Sequence, residues 1–371
     1  MADQAGTSQN PAEQAKRKRV YEEWKGSEVF FCGGRCMAGP SWKSVIGTSS
    51  MLIAPSILFY ALVIPKFLSN VGLAMGLLVI HLALLSCCTT FLFITACSDP
   101  GVLPRRREPD LDYLAGKKPR TTEVMVNGHK VVVRYNETCG FYQPPRAHHC
   151  SVNDNCIERF DHHCPWVGTT VGMRNYRFFL LFVYCTTVLC LLTLGLCVYQ
   201  LFFYKDDVES SPEFDPEVDN VWLVVISNSA AALIIAGYCF LLFFFVGGLS
   251  GFHCYLVSTN QTTYENFRYS NDGRPNPYNK GCLSNCADVF CVPIPKPKVN
   301  PRAYVDEPLP IIPELLAIDR GVLEAAEAAN GQVTSNGSSS SAHTALTITP
   351  SNVEVEMSRP ASSGQLPDSA V

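Results

Sequence analysis

Four apolar blocks constrain this chain more than any other feature: Ile46 to Leu68, Gly72 to Ala96, Phe178 to Tyr204 and Val221 to Gly248. Each exceeds the roughly 20 residues a helix needs to cross a hydrocarbon core. Buried helices of soluble proteins seldom run so long without charge, so the pattern predicts an all-α integral membrane protein with four transmembrane helices. Little more than Ser69-Asn70-Val71 separates the first two blocks, which predicts a tight helical hairpin. Pro55 and the scattered Ser and Thr are tolerable in a membrane, where neighbouring helices re-satisfy freed backbone groups. His81 and Asn228 are the polar exceptions, and an interhelical hydrogen bond is the expected use of each.

The composition supports this division. Of 371 residues 47% are hydrophobic, concentrated in the blocks rather than spread as globular cores would spread them. A formal net charge of -4 argues against nucleic acid as a partner. Seventeen cysteines would suggest a disulfide scaffold in a short secreted chain, but the N-terminus carries no apolar signal core and runs into Lys16-Arg17-Lys18-Arg19. Reduced cysteines in a cytosolic setting are the expectation.

Lysine and arginine near the spans set the orientation. The loop from Ser98 to Tyr176 carries Arg105-Arg106-Arg107, Lys117-Lys118, Arg120, Lys130, Arg134, Arg146, Arg159 and Arg174, whereas the loop after Tyr204 is acidic from Asp206 through Asp219. The basic loop and both termini are therefore expected in the cytosol. The sequons at Asn136, Asn260 and Asn336 would then stay unglycosylated.

The expected division is a cytosolic arm at 1–45, two spans at 46–97, a cysteine-rich domain at 98–176, two spans with an acidic lumenal loop at 177–248, a cytosolic segment at 249–317 and a disordered tail at 318–371. The arm contains Tyr21-Glu22-Glu23-Trp24 and Phe30-Phe31-Cys32-Gly33-Gly34, a composition that suits the headgroup surface and a solvated tail equally. Asp99-Pro100-Gly101 signals a turn at the end of the second span. Asn127-Gly128 between alternating runs from Val124 to Arg134 predicts a β-hairpin. From about Ile318 the residues turn to Ala, Ser, Thr and Gly, including Ser338 to Ser341, too little apolar surface to offset ordering entropy.

Chemistry is concentrated between Asn136 and Asn175, around Asp161-His162-His163-Cys164. Cysteine and histidine at this density point to metal binding or thiol chemistry. Cys164 stands about a dozen residues before the third span, which puts its sulfur close to the membrane face. Thiolate is the reactive form; an adjacent imidazole can take the proton and a carboxylate can orient the imidazolium. Asp161, His162 and Cys164 supply those three roles.

This stretch closely resembles the cysteine-rich domain of the DHHC family of protein S-acyltransferases, or palmitoyltransferases. Asp99-Pro100-Gly101 after the second span, Thr262-Thr263-Tyr264-Glu265 after the fourth and an aromatic-plus-Asn element ending at Asn285 match the same family. The resemblance covers about Arg19 to Pro295, and Trp24-Lys25-Gly26 with Cys32-Gly33-Gly34-Arg35 bring it nearest to plant-like members.

The resemblance implies that Cys164 is loaded from palmitoyl-CoA, with His162 as base and Asp161 as orienting acid, and passes the acyl group to membrane-proximal cysteines of other proteins. Trp166 would contact the acyl chain, and Arg146 and His148 would be candidates for the coenzyme A phosphates, although a structural ion pair suits Arg146 as well. Membrane lipids and an accessory protein subunit are further implied partners. The implied location is the endomembrane system, Golgi or endoplasmic reticulum, with the plasma membrane as an alternative.

The family pattern holds two zinc ions, and here the sequence departs from it. The first site keeps Cys139, His149 and Cys156 but has Asn136 in fourth place; the second keeps Cys150 and His163 but has Asn153 and Thr170. A closed structural zinc takes four ligands. About one zinc is therefore expected, with the second site rebuilt as a polar network, and two would require substitutes such as Asp154 or His148. A second function class, an inactive membrane scaffold that has lost zinc-supported catalysis, is set against the acyltransferase. The intact motifs favour the enzyme.

Overall fold

The computed structural model describes residues 17–67, 71–217, 220–269, 273, 275–333, 345–348 and 353–356. Four long helices dominate it: α1 (Ser44–Leu62, continued by a 3-10 turn at Ile64–Phe67), α2 (Val71–Ala96), a helix at Tyr176–Glu209 and another at Ala230–Thr259. Their outer faces are apolar and exposed while small and polar side chains turn inward, the arrangement expected where lipid rather than water surrounds the bundle. The Ser69-Asn70 link lies outside the described residues.

Inside the bundle, freed backbone groups and polar side chains find partners. Pro55 has no N–H, which leaves the Met51 carbonyl of α1 without its usual donor; the Tyr238 hydroxyl supplies one at 2.8 Å. His81 is completely buried between the Tyr60 hydroxyl at 2.7 Å and Thr193 Oγ1 at 2.9 Å, the interhelical use expected of it. Asn228 differs. Its amide turns back onto the Val224 carbonyl of its own helix at 2.9 Å.

The fourth span is shifted from the apolar block that announced it. Val221–Asn228 is a separate short helix, capped by the Asn220 side chain on Trp222 N and Leu223 N. The chain breaks at Ser229, whose hydroxyl accepts from Gln200 at 3.2 Å. The spanning helix then continues past Gly248 to Thr259. It does so because the polar residues of this stretch face inward: Ser250 meets Thr187 at 2.7 Å and His253 meets the Tyr176 hydroxyl at 3.1 Å.

Between α2 and the third span lies a lobe of short helix and hairpins: α3 (Leu111–Leu114), β3 (Thr121–Val126), β4 (His129–Asn136), β5 (Phe141–Tyr142), β6 (His148–Cys150), β7 (Asn155–Ile157), β8 (His162–Cys164) and β9 (Thr169–Val171). An arm hairpin of β1 (Val29–Phe31) and β2 (Cys36–Ala38) precedes α1. The third span is α4 (Tyr176–Glu209), followed by α5 (Val221–Asn228), α6 (Ala230–Thr259), α7 (Thr263–Tyr269), α8 (Cys282–Phe290) and α9 (Pro313–Val333). The predicted β3–β4 hairpin forms, with Asn127 at φ 48 and Gly128 at φ 79 in its two-residue turn, the paired left-handed conformation that Asn-Gly favours. β10 (Ala345–Ile348) adds parallel to β3 and β11 (Val353–Glu356) antiparallel to β10.

The tail assignment from Ile318 onward differs from the structure. α9 runs through that point, and Ile318 and Val322, one helical turn apart, are buried against Tyr135 and Tyr142. Asp319 on the same face meets Arg106 at 2.6 Å, so docking rather than composition keeps this helix. Ser338 to Ser341 lie outside the described residues.

Candidate active site

The β8–β9 hairpin pairs His162 with Val171, His163 with Thr170 and Cys164 with Thr169. Successive strand side chains point to opposite faces, so His162 and Cys164 share one face and His163 takes the other. Two adjacent histidines thus receive different surroundings from the pleat alone. The hairpin turn rests on the start of α1: Ser44 Oγ donates to the Pro165 carbonyl and Thr48 Oγ1 to the Trp166 carbonyl at 2.7 Å. Gly168 in that turn has φ 68, and a Cβ there would lie 2.7 Å from the Ser41 carbonyl oxygen, so the close approach requires glycine.

On the first face, Asp161 is buried and fully engaged. One carboxylate oxygen accepts from Thr263 N at 2.8 Å; the other accepts from the Thr263 hydroxyl at 2.8 Å and lies 2.6 Å from His162 Nδ1. Burial would raise Asp161, but the hydrogen bond and charge of His162 hold it below the usual carboxylate range. Burial likewise opposes the imidazolium, yet hydrogen bonds to Asp161 and to Cys164 overcome it and raise His162 to about 10. At neutral pH the proton therefore rests on His162. Cys164 itself is buried in the apolar cluster of Phe179, Val183 and Val257 where the lobe meets the bundle. The His162 ring stands edge-on to Phe179, with centroids 5.3 Å apart.

Thr263 belongs to the Thr-Thr-Tyr-Glu motif, and its neighbours explain how it is held. Thr262 Oγ1 accepts from Glu265 N at 3.1 Å and Glu265 Oε2 accepts from Thr262 N at 2.9 Å, a reciprocal capping box that starts α7. The same carboxylate takes Arg146 Nε and Nη2, both at 2.7 Å, while Nη1 and Nη2 also reach Asn260 Oδ1 and the Asn260 carbonyl. The ion pair foreseen for Arg146 is thus present. His148 packs 4.0 Å from the Tyr264 ring, and burial pulls it down to about 4. Arg146 and His148 both line a cavity of about 640 Å³ that Lys130, Arg134, Arg268 and Tyr278 complete. Trp166 is half-exposed in the hairpin turn.

Asp99 and Asn175 brace the hairpin from the bundle side. Asp99 Oδ1 accepts from Gly101 N and Val102 N, both at 2.8 Å, and Oδ2 pairs with Arg174 at 3.0 Å. Asn175 donates to the Thr170 carbonyl at 2.9 Å and accepts from Gly172 N at 2.8 Å. The ends of α2 and α4 are thereby tied to β9.

Of the five candidate metal ligands, three converge. Cys139, His149 and Cys156 present donor atoms within 4.8 Å of one another. Asn136, in the place of a fourth, instead accepts from Cys139 N at 2.8 Å. A hydrogen bond from Cys156, then the contact with His149, lowers the Cys139 thiol to about 6, while Cys156 as donor is pushed up. A cation would displace the proton these sulfurs share. His149 turns its other nitrogen toward Asp154 at 3.4 Å, an outward carboxylate contact of the kind that orients a metal-bound imidazole. This donor set fits zinc.

Cys150 and His163 join a different group. Thr170 Oγ1 lies 2.8 Å from Asn153 Oδ1 and 3.0 Å from Cys150 Sγ, and His163 Nδ1 is 3.2 Å from both Asn153 Oδ1 and Thr170 Oγ1. Asn153 Nδ2 donates onward to Glu28 Oε1 at 3.1 Å, and Asn155 Nδ2 and Trp24 Nε1 both reach Glu28 Oε2 at 2.7 Å. This set does not fit a metal: an amide and a hydroxyl fill two ligand places, and the four side chains bond to one another. Glu28 and Thr263 are the site residues that the sequence did not single out. Thr263 lay in a recognised motif with no role assigned, and nothing local marks Glu28.

The geometry can be set beside known proteins. The sequence profile described as DHHC palmitoyltransferase matches residues 131–270. "Probable protein S-acyltransferase 7" of Arabidopsis thaliana is 40% identical over 314 residues, covering 81% of this chain and 69% of that protein. "Protein S-acyltransferase 8" of the same plant is 38% identical over 335 residues, 85% of this chain and 79% of the relative. "Probable protein S-acyltransferase 1" is 38% identical and is covered over 87% of its length.

Proposed function

The chain belongs to the DHHC palmitoyltransferase family, and on that premise we propose that Cys164 is the sulfur that carries the acyl group. It is a multi-pass membrane protein S-acyltransferase, taking acyl-CoA and protein substrates. The observation that carries the assignment is the 2.6 Å contact of His162 with an Asp161 held twice by Thr263. In this reading Cys164 attacks the palmitoyl-CoA carbonyl as a thiolate beside the His162 imidazolium. The carbon–sulfur bond to coenzyme A breaks as the bond to Cys164 Sγ forms, and the departing thiolate takes the His162 proton. His162, left neutral by that transfer, accepts the proton of the substrate cysteine, which attacks the acyl-Cys164 thioester and frees the Cys164 sulfur. Asp161 stabilises each imidazolium as it forms.

The basic cavity beside Arg146 and His148 suits the coenzyme A phosphates, with Arg134, Arg268 and a Lys130 paired to Glu123 at 3.0 Å on its lining and Arg146 largely committed to Glu265. Trp166 is assigned to the acyl chain near the thioester. Cys139, His149 and Cys156 would hold one zinc, which when bound clamps the β6–β7 hairpin to the turn after β4. The Lys and Arg of the loop before the third span support a cytosolic lobe and cytosolic termini in this reading, with the endomembrane system as the proposed location.

The test is labelling of purified protein with acyl-CoA. Cys164→Ser should abolish the hydroxylamine-sensitive label, and His162→Ala should slow loading by roughly a hundredfold or more. A thioester adduct formed by Cys164→Ser at the wild-type rate would remove the assigned nucleophile.

A further inference from the structure

A second group of thiols lies outside the catalytic hairpin, on and beside α8. This helix is fixed at both ends. The Asn285 amide donates to the Ser258 carbonyl and to Asn279 Oδ1, both at 2.8 Å, and its oxygen accepts from Lys280 N at 3.0 Å. Arg177, in the first turn of α4, donates to the Val289 carbonyl at 2.6 Å and to the Val292 carbonyl. α8 is thus held against the ends of α4 and α6 that adjoin the cysteine-rich lobe. Its inner face reaches the catalytic cluster, since Val289 packs in the same group as Cys164, Phe179 and Val257.

The outer face carries apolar side chains as well, beside Ser284 and the Asp288–Lys280 ion pair. Leu283 is 88% exposed, and Phe290 and Val292 are exposed with it. Tyr255 and Cys254 on the neighbouring α6 are also exposed, so the apolar surface of the span continues onto the helix. Such a continuous surface is poorly suited to water and well suited to the acyl boundary of a bilayer, where amphipathic helices lie in the plane. Four thiols sit along this seam: Cys282 and Cys291 are exposed, Cys286 is partly covered, and Cys254 faces it from α6. Thiols on a membrane-plane helix are the chemical class that reversible S-acylation takes.

We infer that Cys282 is itself an S-acylation site, loaded from an acyl-Cys164 thioester, so that a second lipid fastens α8 to the bilayer. Cys282 is favoured among the four because it is exposed beside Leu283 and free of the cover that Cys286 receives. The acyl carbon's bond to Cys164 Sγ breaks as its bond to Cys282 Sγ forms; the Cys282 proton passes to the departing thiolate, and nothing is oxidised or reduced. The inference rests on the acyltransferase reading and adds an acceptor within the chain itself.

The full chain in lipid nanodiscs, incubated with palmitoyl-CoA and digested with trypsin, tests it. The Gly281–Lys298 peptide should carry an acyl mass that hydroxylamine removes and that is lost in Cys282→Ser, while the Cys164 peptide keeps its own label. Cys164→Ser incubated alone should leave Gly281–Lys298 unlabelled. Three results overturn the inference: an unlabelled Gly281–Lys298 peptide beside a labelled Cys164 peptide, undiminished labelling in Cys282→Ser, or equal labelling in Cys164→Ser alone. An unlabelled Cys164 peptide would remove the acyltransferase reading, and this inference with it.

Discussion

Thr263 holds Asp161 through two groups at once, its backbone N–H to one carboxylate oxygen and its hydroxyl to the other, each at 2.8 Å. A residue after the fourth span therefore sets the angle at which Asp161 meets His162. Thr263→Val keeps the shape and the backbone bond but removes the hydroxyl. A hydrogen bond to a charged group contributes about 1.5 to 3 kcal/mol, so loading at Cys164 should fall roughly tenfold to a hundredfold if most of this is lost in the transition state. Thr263→Ser should restore it. Single-turnover labelling measures both, and an undiminished rate in Thr263→Val would show that the hydroxyl has no part in positioning Asp161.

His162 makes stability depend on pH. Its ordinary value of 6.5 is raised to about 10 in the folded protein, so folding takes up a proton between those values. The stabilisation is fully present below about 6.5 and is lost as pH rises through about 10. Asp161, held low, does not titrate in that interval. The melting temperature should therefore fall between pH 6.5 and 10 more steeply in wild type than in His162→Ala, and parallel slopes in scanning calorimetry would contradict the paired imidazolium.

Metal content separates the two halves of the cysteine-rich lobe. Wild-type protein should contain about one zinc per chain, and Asn153→Cys combined with Thr170→Cys, which completes a Cys3His set with Cys150 and His163, should raise it to about two. Elemental analysis reads both. Glu28→Ala would strand the donors of Trp24, Asn153 and Asn155, at about 1 to 3 kcal/mol for each buried group left unpaired. It should lower the melting temperature without releasing zinc. Loss of metal in that variant would instead place Glu28 in support of the first site.

Orientation needs a probe other than the native sequons. Asn260 is buried and bonded to Arg146, Arg159 and Tyr278, Asn136 shapes the Cys139 turn, and Asn336 lies outside the described residues. Glu213→Asn with Asp215→Thr creates an acceptor in the acidic loop. If that loop is lumenal, the variant should show a glycosidase-sensitive mass shift in microsomes, and an unmodified loop beside a modified engineered sequon in the α7–α8 link would reverse the topology.

Much of the fold is legible because the strongest signals are local. Hydropathy finds the spans, Asn127-Gly128 finds its hairpin, and the spacing of Asp161, His162 and Cys164 marks the residues that the structure brings together. What the sequence hides depends on distant partners. Glu28 meets Asn153 across 125 residues, and no periodicity records that contact. α9 reads as tail because Ile318, Val322 and Asp319 gain their meaning only against Tyr135, Tyr142 and Arg106. The fourth span runs beyond its apolar block to Thr259 because Ser250 and His253, polar in composition, are inward in placement.

The contacts of the Pro165–Gly168 turn with Ser41, Ser44 and Thr48 make the sulfur proposed as the acyl carrier a fixture of the first membrane helix. Its height above the bilayer is set by the enzyme and cannot follow an incoming protein. An acceptor cysteine must reach that height on its own tether, and an extended chain spans at most about 3.3 to 3.6 Å per residue. A thiol five residues from a lipid anchor or a span thus has a reach of roughly 17 Å. Choice among acceptors becomes a question of leash length and local extension, so sequences with nothing in common around their cysteines can be equivalent substrates, while a single proline or helix that shortens the leash removes one.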